Sequence, residues 1–334
     1  MTPDKLICLE LEGPLSPQDN LHELMSLFPQ GERLLRVIQR YGELLALEGR
    51  EGYEPGDTLA LVVPFLMLHR LSEEDIQKVE KKAPLTEGAA DLVSHLKGEG
   101  WHVACLSVAY EYFARPIAER AGIASDMVLA TRFPMVRYRR FWEYVDKPDL
   151  KRLADAEKDL LSLPLDNDHL LKERLDGFYR DELPDMMLTA FVRGVKPLGG
   201  QRKAMAVETL GFEHDIPLER IVMVGSNYTD ARALRKVHKK GGLAIAFNGD
   251  ESCLSNANVG LASTRIDKLM PLLAVWGKEG LEGIEQKVKE WEVGRTKADG
   301  YFHWLEAGSQ DQNLVRLHQE FKRATPKNIA RSHL

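Results

Sequence analysis

Six short runs of mostly apolar residues are spaced along the chain, each bounded by glycine, proline or charged residues. Their length and their apolar character on successive positions are typical of strands that are buried on both faces of a sheet. The predicted strands are residues 6–9, 102–107, 127–130, 221–224, 243–247 and 259–262.

Apolar residues at helical spacing lie between these runs and predict helices at residues 92–98, 110–121, 203–210 and 229–240. Gly122 and Gly211 are the predicted stops of the second and third of these helices. Thr229 is the predicted N-cap of the fourth. Because strands alternate with helices, we expect an α/β fold with a doubly wound parallel sheet and helices on both faces.

Two long segments interrupt this alternation. Residues 16–83 have apolar positions at helical spacing, including one predicted core helix at 59–68 and a helix start at Ser72 with three acids after it. Residues 132–194 are highly charged and mostly helical in pattern, and the last ~60 residues predict amphipathic helices with a basic tail. We therefore expect a core of residues 1–15, 84–131 and 195–270, a helical cap at 16–83, a second cap at 132–194, and a helical C-terminal extension at 271–334.

The composition and charge of the chain argue against several classes of protein. The chain has 334 residues, 44% of them hydrophobic and 29% charged, with a formal net charge of −6, so we expect no general nucleic-acid binder. The three cysteines suggest no disulfide framework. The first residues lack the apolar run of a signal peptide, and the richest apolar stretch is half the ~20 residues that span a membrane. We expect a cytoplasmic protein with no membrane segment.

Polar residues follow the predicted strands where ligands bind in open parallel sheets. Glu10 and Glu12 follow the first strand, Ser107 ends the second, and residues 225–230 follow the strand at 221–224. Lys203 begins a nearby helix, with Lys196 as its rival. Carboxylates suit magnesium, and lysine and hydroxyl donors suit phosphate. Taken singly, each residue has an ordinary alternative role as a loop acid, strand-end hydroxyl, surface lysine or helix-start acid; their shared location favours a site.

The order and spacing of these residues resemble the haloacid dehalogenase superfamily of phosphatases. The matching segments read Glu10-Leu-Glu12-Gly-Pro, Cys105-Leu-Ser107, Lys203, and Gly225-Ser226-Asn227-Tyr-Thr-Asp230. Residues 241–248 resemble phosphoserine-phosphatase-like members. Two further segments resemble an archaeal-type branch of the superfamily: Glu-Gly-Pro-Leu at 12–15 and Glu-Gly-Tyr-Glu-Pro-Gly-Asp at 51–57. One named group in that branch is described as a subunit of an energy-converting hydrogenase.

This resemblance implies a role for each matching residue. Glu10 would be the nucleophile or a metal ligand, and Glu12 the general acid and base. Ser107 and Lys203 would also be catalytic residues. The implied phosphate-binding residues are Ser107, Lys203, Gly225 and Asn227. The implied ligands of a weakly held Mg²⁺ are Glu10, Glu12, Ser226 and Asp230.

Two departures from the family pattern affect the chemistry. Glutamate replaces the attacking aspartate at position 10, which moves the carboxylate out by one methylene; a misplacement of about 1 Å can slow a reaction about a hundredfold. Ser226 replaces a metal-binding acid, so the cation site loses a charge. Two hypotheses follow: magnesium-dependent hydrolysis of a small phosphorylated metabolite at reduced efficiency, or a non-catalytic binding or regulatory protein.

The predicted caps could carry a contact with a protein partner or with a second copy of the chain, and the sequence leaves this open. The basic and aromatic run at residues 137–142 could bind nucleic acid or an anionic substrate, or it could be the polar face of a cap, and we favour the polar face. The sequence has no HExxH, Cys-x-x-Cys, GxGxxG or GxxxxGK motif, so we expect neither a zinc site nor a nucleotide loop.

Overall fold

The computed structural model describes residues 5–292, 300–306 and 311–326, with the side chains at positions 136, 137, 141, 143 and 144 left out. In these residues one sheet has the strand order β3-β2-β1-β4-β5-β6-β7. The strands β1 to β6 are parallel and β7 runs antiparallel to β6. The strands are β1 (Leu6–Glu10), β2 (His102–Tyr110), β3 (Val128–Thr131), β4 (Ile221–Gly225), β5 (Leu243–Phe247), β6 (Val259–Ala262) and β7 (Tyr301–Trp304).

The helices cover both faces of this sheet. They are α1 (Asn20–Met25), α2 (Gly31–Leu47), α3 (Thr58–Leu61), α4 (Val63–Leu68), α5 (Glu73–Lys82), α6 (Ala89–Gly98), α7 (Glu111–Arg120), α8 (Met135–Tyr144), α9 (Lys147–Ser162), α10 (Asp168–Asp176), α11 (Thr189–Gly194), α12 (Gly200–Glu213), α13 (Ala231–Lys239), α14 (Glu251–Leu254), α15 (Met270–Glu292) and α16 (Gln312–Ala324). A π-helical segment, Gly177–Glu182, follows α10. The 3₁₀ turns of the described residues are Ser125–Met127, Leu183–Asp185, Leu218–Arg220 and Ile266–Leu269.

Successive residues of β1 point to opposite faces of the sheet, as the pleat requires. Leu6 and Cys8 pack into a core with α12, α13, α14 and α16, whereas Ile7 and Leu9 pack into the larger core with α6, α7 and α15. All five residues of β1 are buried. The continuous apolar run at the start of the chain therefore indicates a central strand covered on both faces.

The predicted doubly wound parallel sheet is confirmed, and its six predicted strands are present. The predicted helical content of the C-terminal extension is wrong at one point, because residues 301–304 form the edge strand β7. Tyr301–Trp304 is short and pairs with only one neighbour, so it lacks the continuous apolar run of a central strand. The second predicted strand also ends too early: β2 continues past Ser107 to Tyr110, with an irregular register against β3 between these two residues.

Three helix predictions need correction. The helix expected at 59–68 is divided into α3 and α4, with Pro64 in the first turn of α4, where a missing amide hydrogen is tolerated. Gly211 does not stop α12, which continues to Glu213, and a Cβ at Gly211 would lie 2.7 Å from the carbonyl oxygen of Ile216. The N-cap of α13 is Asp230 rather than Thr229.

The predicted helix start at Ser72 is confirmed. Its hydroxyl accepts the amide hydrogen of Asp75 at 3.1 Å, and Asp75 accepts the Ser72 amide in return. In the interrupting segments, α2 contacts α9 and α10, and α4 contacts α9. The division into core, caps and extension stays a prediction. No helix of the described ranges is long and apolar enough to cross a membrane.

The C-terminal helix α16 is anchored through His318, which is fully buried. The Nδ1 atom of His318 accepts a hydrogen bond from the Gly249 amide at 3.0 Å, so the ring is neutral in this contact. Burial, with a further contribution from the nearby His303, lowers the pKa of His318 to about 3. The basic tail predicted from residue 322 onward thus begins inside a docked helix, and its positions 327–334 lie outside the described residues.

We expect His318 to make stability depend on pH. The unfolded histidine titrates near 6.5, so between pH 6.5 and 3 the unfolded chain binds more protons at this residue than the folded chain. The free energy of unfolding should fall by up to about 1.4 kcal/mol per pH unit as the pH falls through this window, and be unaffected by His318 above it. Urea unfolding of wild type and His318→Gln across this range measures the difference; parallel pH profiles would contradict the prediction.

Candidate functional site at the strand ends

The carboxyl ends of β1 and β4 meet the first turn of α12 and enclose a group of charged side chains. Glu10 is the last residue of β1, and its side chain is fully buried. The Oε1 atom of Glu10 accepts hydrogen bonds from the amides of Leu11 at 3.0 Å and Glu12 at 3.4 Å. The turn after the strand therefore holds the carboxyl group back against its own backbone.

Lys203 completes a buried triad with Glu10 and Asp230. Its Nζ atom donates to Oε2 of Glu10 and to Oδ1 of Asp230, the second contact at 2.5 Å. All three side chains have no solvent exposure. Lys196, the rival lysine, is exposed. Of the two lysines, the structure thus brings Lys203 to the acids.

The triad has an uneven distribution of charge. Burial raises the pKa of Glu10 well above its usual range, and the nearby Asp230 adds to this against the opposing effect of Lys203. Burial also acts against the charged form of Asp230, but the Lys203 charge and its hydrogen bonds outweigh it and lower the pKa of Asp230. For Lys203, burial is likewise outweighed by the two acids, so its pKa is raised. A neutral Glu10 beside an ionised Lys203–Asp230 pair is the state these shifts favour.

Asp230 is also fixed by the loop that follows β4. Its Oδ2 atom accepts hydrogen bonds from the amides of Ser226 at 2.8 Å and Asn227 at 3.1 Å. Gly225 permits this close approach, because a Cβ there would lie 2.6 Å from the Cβ of Asp230. The Ser226 hydroxyl donates to the carbonyl oxygen of Glu12 at 2.6 Å. The amides of Ser226 and Asn227 and the Ser226 hydroxyl therefore donate to groups of the protein itself.

The predicted magnesium ligands do not fit a magnesium ion as they are arranged. The Lys203 ammonium lies between Glu10 and Asp230, where its positive charge would repel a cation. The oxygen of Ser226 is bonded to Glu12, and the Glu12 side chain accepts from the amide and side chain of Asn20, each at 3.0 Å. Among the described residues, no group of three or more His, Cys, Asp or Glu is arranged to hold a metal.

A cavity of about 270 Å³ lies next to the triad. Its walls come from the turn after β1, the helical segment 16–83, the loop after β4, and α16. The lining residues are Glu12, Gly13, Pro17, Gln18, Asp19, Leu21, Gln39, Gly56, Thr58, Leu59, Val108, Ser226, Asn227, Tyr228, Thr229, Asn248, Lys322 and Thr325. Glu10, Ser107, Lys203 and Asp230 are not among them.

Glu12 is the acid of the first strand end that does face the cavity. Burial and the nearby charge of Asp19 raise the pKa of Glu12 to about 7, while the hydrogen bonds from Asn20 act in the opposite direction. Glu12 can therefore exchange a proton near neutral pH, as a general acid or base must.

The phosphate-binding residues implied by the resemblance are separated. Ser107 is buried inside β2, and its hydroxyl accepts the amide hydrogen of Ala109 at 3.1 Å. Asn227 lines the cavity, but its Oδ1 atom accepts from the amide of Thr229 at 3.0 Å and from the Thr229 hydroxyl at 2.6 Å. Ser107 and Lys203 face the interior, whereas Asn227 and Ser226 face the cavity.

Comparison with known proteins relates this arrangement to phosphatases. A phosphoserine phosphatase of Archaeoglobus fulgidus is 24% identical over 267 residues, which cover 78% of this chain and 59% of that protein. The chain thus spans about three fifths of its curated relative's length. No family model matches. The solved structure of an A. fulgidus gene product superposes with a TM-score of 0.80 at 22% identity, covering 95% of both chains. The chain has the haloacid-dehalogenase-like fold.

A second solved structure agrees with this fold. It is a phospho-aspartyl intermediate analogue of phosphoserine phosphatase, with a TM-score of 0.52, 20% identity, and coverage of 80% of this chain and 98% of that one. The haloacid-dehalogenase-like fold predicted from four short motifs is therefore confirmed, together with its likeness to phosphoserine phosphatases. At this level of identity the structural comparisons establish the fold alone.

The run at residues 51–57, in the helical segment 16–83, contacts α12, the helix that carries Lys203. The sequence motif did not indicate this contact. Glu54 accepts the Gln201 amide hydrogen at 3.0 Å at the start of α12 and forms an ion pair with Arg232 at 2.9 Å. Asp57 forms an ion pair with Arg202. A Pro-Gly pair is typical of a turn, and a turn motif does not specify which residues its acids will contact.

Gly199 allows this run to approach α12, because a Cβ at Gly199 would overlap the carbonyl oxygen of Pro55. We expect Gly199→Ala to displace the run and lower the free energy of unfolding by about 1–3 kcal/mol, as overpacking of a tight contact usually does. Chemical denaturation measures the change. Gly98→Ala is the control, since a Cβ at Gly98 meets nothing within 4 Å; equal effects of the two variants would contradict the prediction.

Proposed function

We propose that this chain is a phosphatase-like protein that binds a small molecule in the cavity at its strand ends and does not hydrolyse phosphoesters through Glu10. The observation that carries the proposal is the position of Lys203, whose ammonium group pairs with Glu10 and Asp230 in a fully buried triad. The binding alternative of the two sequence hypotheses is therefore favoured.

A nucleophilic role for Glu10 requires its carboxylate to come within about 3–3.5 Å of a phosphorus atom. Glu10 does not line the cavity, and its two oxygens are engaged by backbone amides and by Lys203. Its raised pKa favours the protonated form, which is a poor nucleophile. Attack would need the triad to break and Glu10 to turn outward.

Binding of a small molecule in the cavity does not require Glu10 to act as a nucleophile, as hydrolysis would. The cavity combines apolar walls, such as Leu21, Leu59 and Val108, with polar side chains of the loop after β4. This mixture is typical of small-molecule sites. A small phosphorylated molecule stays the first ligand to test, and phosphoserine is its natural representative because the curated relative is a phosphoserine phosphatase.

Weak magnesium-dependent hydrolysis is a second candidate function, and Glu12 is the observation that favours it. Glu12 faces the cavity, and its pKa is raised to about 7. It is positioned for proton transfer to a bound ester or to water, although a metal would first have to displace Lys203 from the acids.

The test compares wild type with Glu10→Gln on a panel of phosphoesters that includes phosphoserine, at saturating Mg²⁺. We expect both proteins to show the same background rate, because Glu10 takes no part in attack. Turnover by wild type that disappears in Glu10→Gln would overturn the proposal. Turnover retained in Glu10→Gln but lost in Glu12→Gln would instead support the second candidate.

A further inference from the structure

The C-terminal helix α16 forms part of the cavity wall, although it comes from the extension to which the sequence assigned no role. Lys322 and Thr325 line the cavity beside the loop that follows β4. His318, one turn earlier, is buried and accepts a hydrogen bond from the Gly249 amide. Phe321 is also buried, and its carbonyl oxygen accepts the Thr325 hydroxyl at 2.9 Å. The backbone that carries Lys322 is thus fixed against the core on both sides.

Lys322 is the one lysine or arginine among the described residues that line the cavity. Its Nζ atom lies 3.5 Å from the carbonyl oxygen of Ser226, a long and weak contact. Within the described part of the chain, Lys322 forms no ion pair at salt-bridge distance. An ammonium group has three donor positions, so Lys322 retains donors for a ligand.

In contrast to Lys322, the two acids that line the cavity already take part in hydrogen bonds of normal length. The Glu12 carboxylate already accepts two hydrogen bonds from Asn20. The Asp19 carboxylate accepts the amide hydrogen of His22 at 2.9 Å as the N-cap of α1. The Lys322 charge acts on the nearby Asp250 and opposes the burial that raises the pKa of that carboxyl group, but within the described residues Lys322 makes one long hydrogen bond, to the Ser226 carbonyl oxygen. Lys322 is therefore the positively charged side chain of the wall that still has hydrogen-bond donors for a ligand.

We propose that Lys322 is the ligand-binding cation of this cavity and that the ligand carries an anionic group, such as a phosphate, that meets it. The inference rests on the proposed binding function and specifies its ligand. Lys203 cannot serve in this way, because it is buried, its charge is balanced by Asp230, and its Nζ atom already donates to both Asp230 and Glu10. Glu12 and Asp19 exclude a second anionic group from their side of the cavity, where hydroxyl or amine donors fit better.

The experiment measures binding of inorganic phosphate to the full chain by isothermal titration calorimetry, with wild type, Lys322→Met, Lys322→Arg and Lys240→Met compared. Lys240 is an exposed lysine at the end of α13, which runs away from the cavity, so it controls for the loss of one positive charge. We expect Lys322→Met to weaken phosphate binding about tenfold or more, whereas Lys322→Arg and Lys240→Met stay within about threefold of wild type.

Three results would overturn the inference. One is equal weakening by Lys322→Met and Lys240→Met, which would indicate a general charge effect. Another is unchanged binding in Lys322→Met, which would place the phosphate elsewhere. The third is no phosphate binding by wild type, which would show that the wall does not favour anions. None of these depends on turnover, which is the readout that tests the proposed function.

Discussion

Lys203→Met is expected to lower the free energy of unfolding by about 3–5 kcal/mol, the usual cost of removing one partner from a buried ion pair. The substitution leaves Glu10 and Asp230 facing each other without solvent and without a cation. Asp230 still accepts two backbone amides, but the pair of acids can avoid the full penalty only by holding a second proton. Urea denaturation of wild type and variant measures the difference.

The control for Lys203→Met is Lys240→Met, which removes the same charge from an exposed site and should change stability by less than about 0.5 kcal/mol. The double variant Lys203→Met with Asp230→Asn should be less destabilised than the sum of the single variants, because both charges leave together. A loss below about 1 kcal/mol in Lys203→Met would contradict a buried, charged triad.

Asp230→Asn is expected to destabilise the protein by several kcal/mol, whereas Glu10→Gln changes its stability by about 1 kcal/mol or less. The difference follows from the two pKa shifts. Burial raises the pKa of Glu10, and Lys203 with its hydrogen bonds lowers that of Asp230. Glutamine replaces a carboxyl group whose neutral form is favoured by burial. Asparagine removes the negative charge that balances Lys203.

The comparison of these two variants is made by chemical denaturation at neutral pH, and each variant serves as the control of the other because each replaces an acid by its amide. Comparable destabilisation by both would mean that Glu10 is ionised in the folded protein. A larger loss in Glu10→Gln than in Asp230→Asn would reverse the assignment of the proton within the triad.

The strands could be predicted from the sequence because central parallel strands bury both faces and so appear as unbroken apolar runs. Residues 6–10 and 243–247 are examples in which every position is buried. The edge strand Tyr301–Trp304 has only one neighbour and an intermediate pattern of burial, so its residues carry no such signal. The end of α12 and the start of α13 differ from the prediction by a few residues, because local patterns determine helix boundaries less precisely than the presence of a helix.

The neighbourhood of the site could also be predicted, because strand ends in an open parallel sheet converge. Glu10, Lys203 and Asp230 do meet there. What the sequence could not indicate is that the three side chains satisfy one another, since this depends on how far the longer arm of Glu10 reaches towards α12. The contribution of Lys322 to the cavity was hidden for a similar reason: it depends on where the C-terminal extension docks.

Under the proposed function, the same triad accounts for a chain that keeps the order of these motifs but does not attack phosphorus through Glu10. Ser226 contributes its hydroxyl to the Glu12 carbonyl oxygen rather than a carboxylate to a cation. With one acid fewer at this position, the Lys203 charge balances the remaining ionised carboxylate.

The most direct test of this account is anomalous diffraction from crystals of the protein soaked in Mn²⁺, a substitute for Mg²⁺ that can be located by its anomalous signal. We expect electron density for the Lys203 ammonium between Glu10 and Asp230, with no anomalous peak between these acids. An anomalous peak coordinated by Glu10 and Asp230, with Lys203 displaced from both, would contradict it.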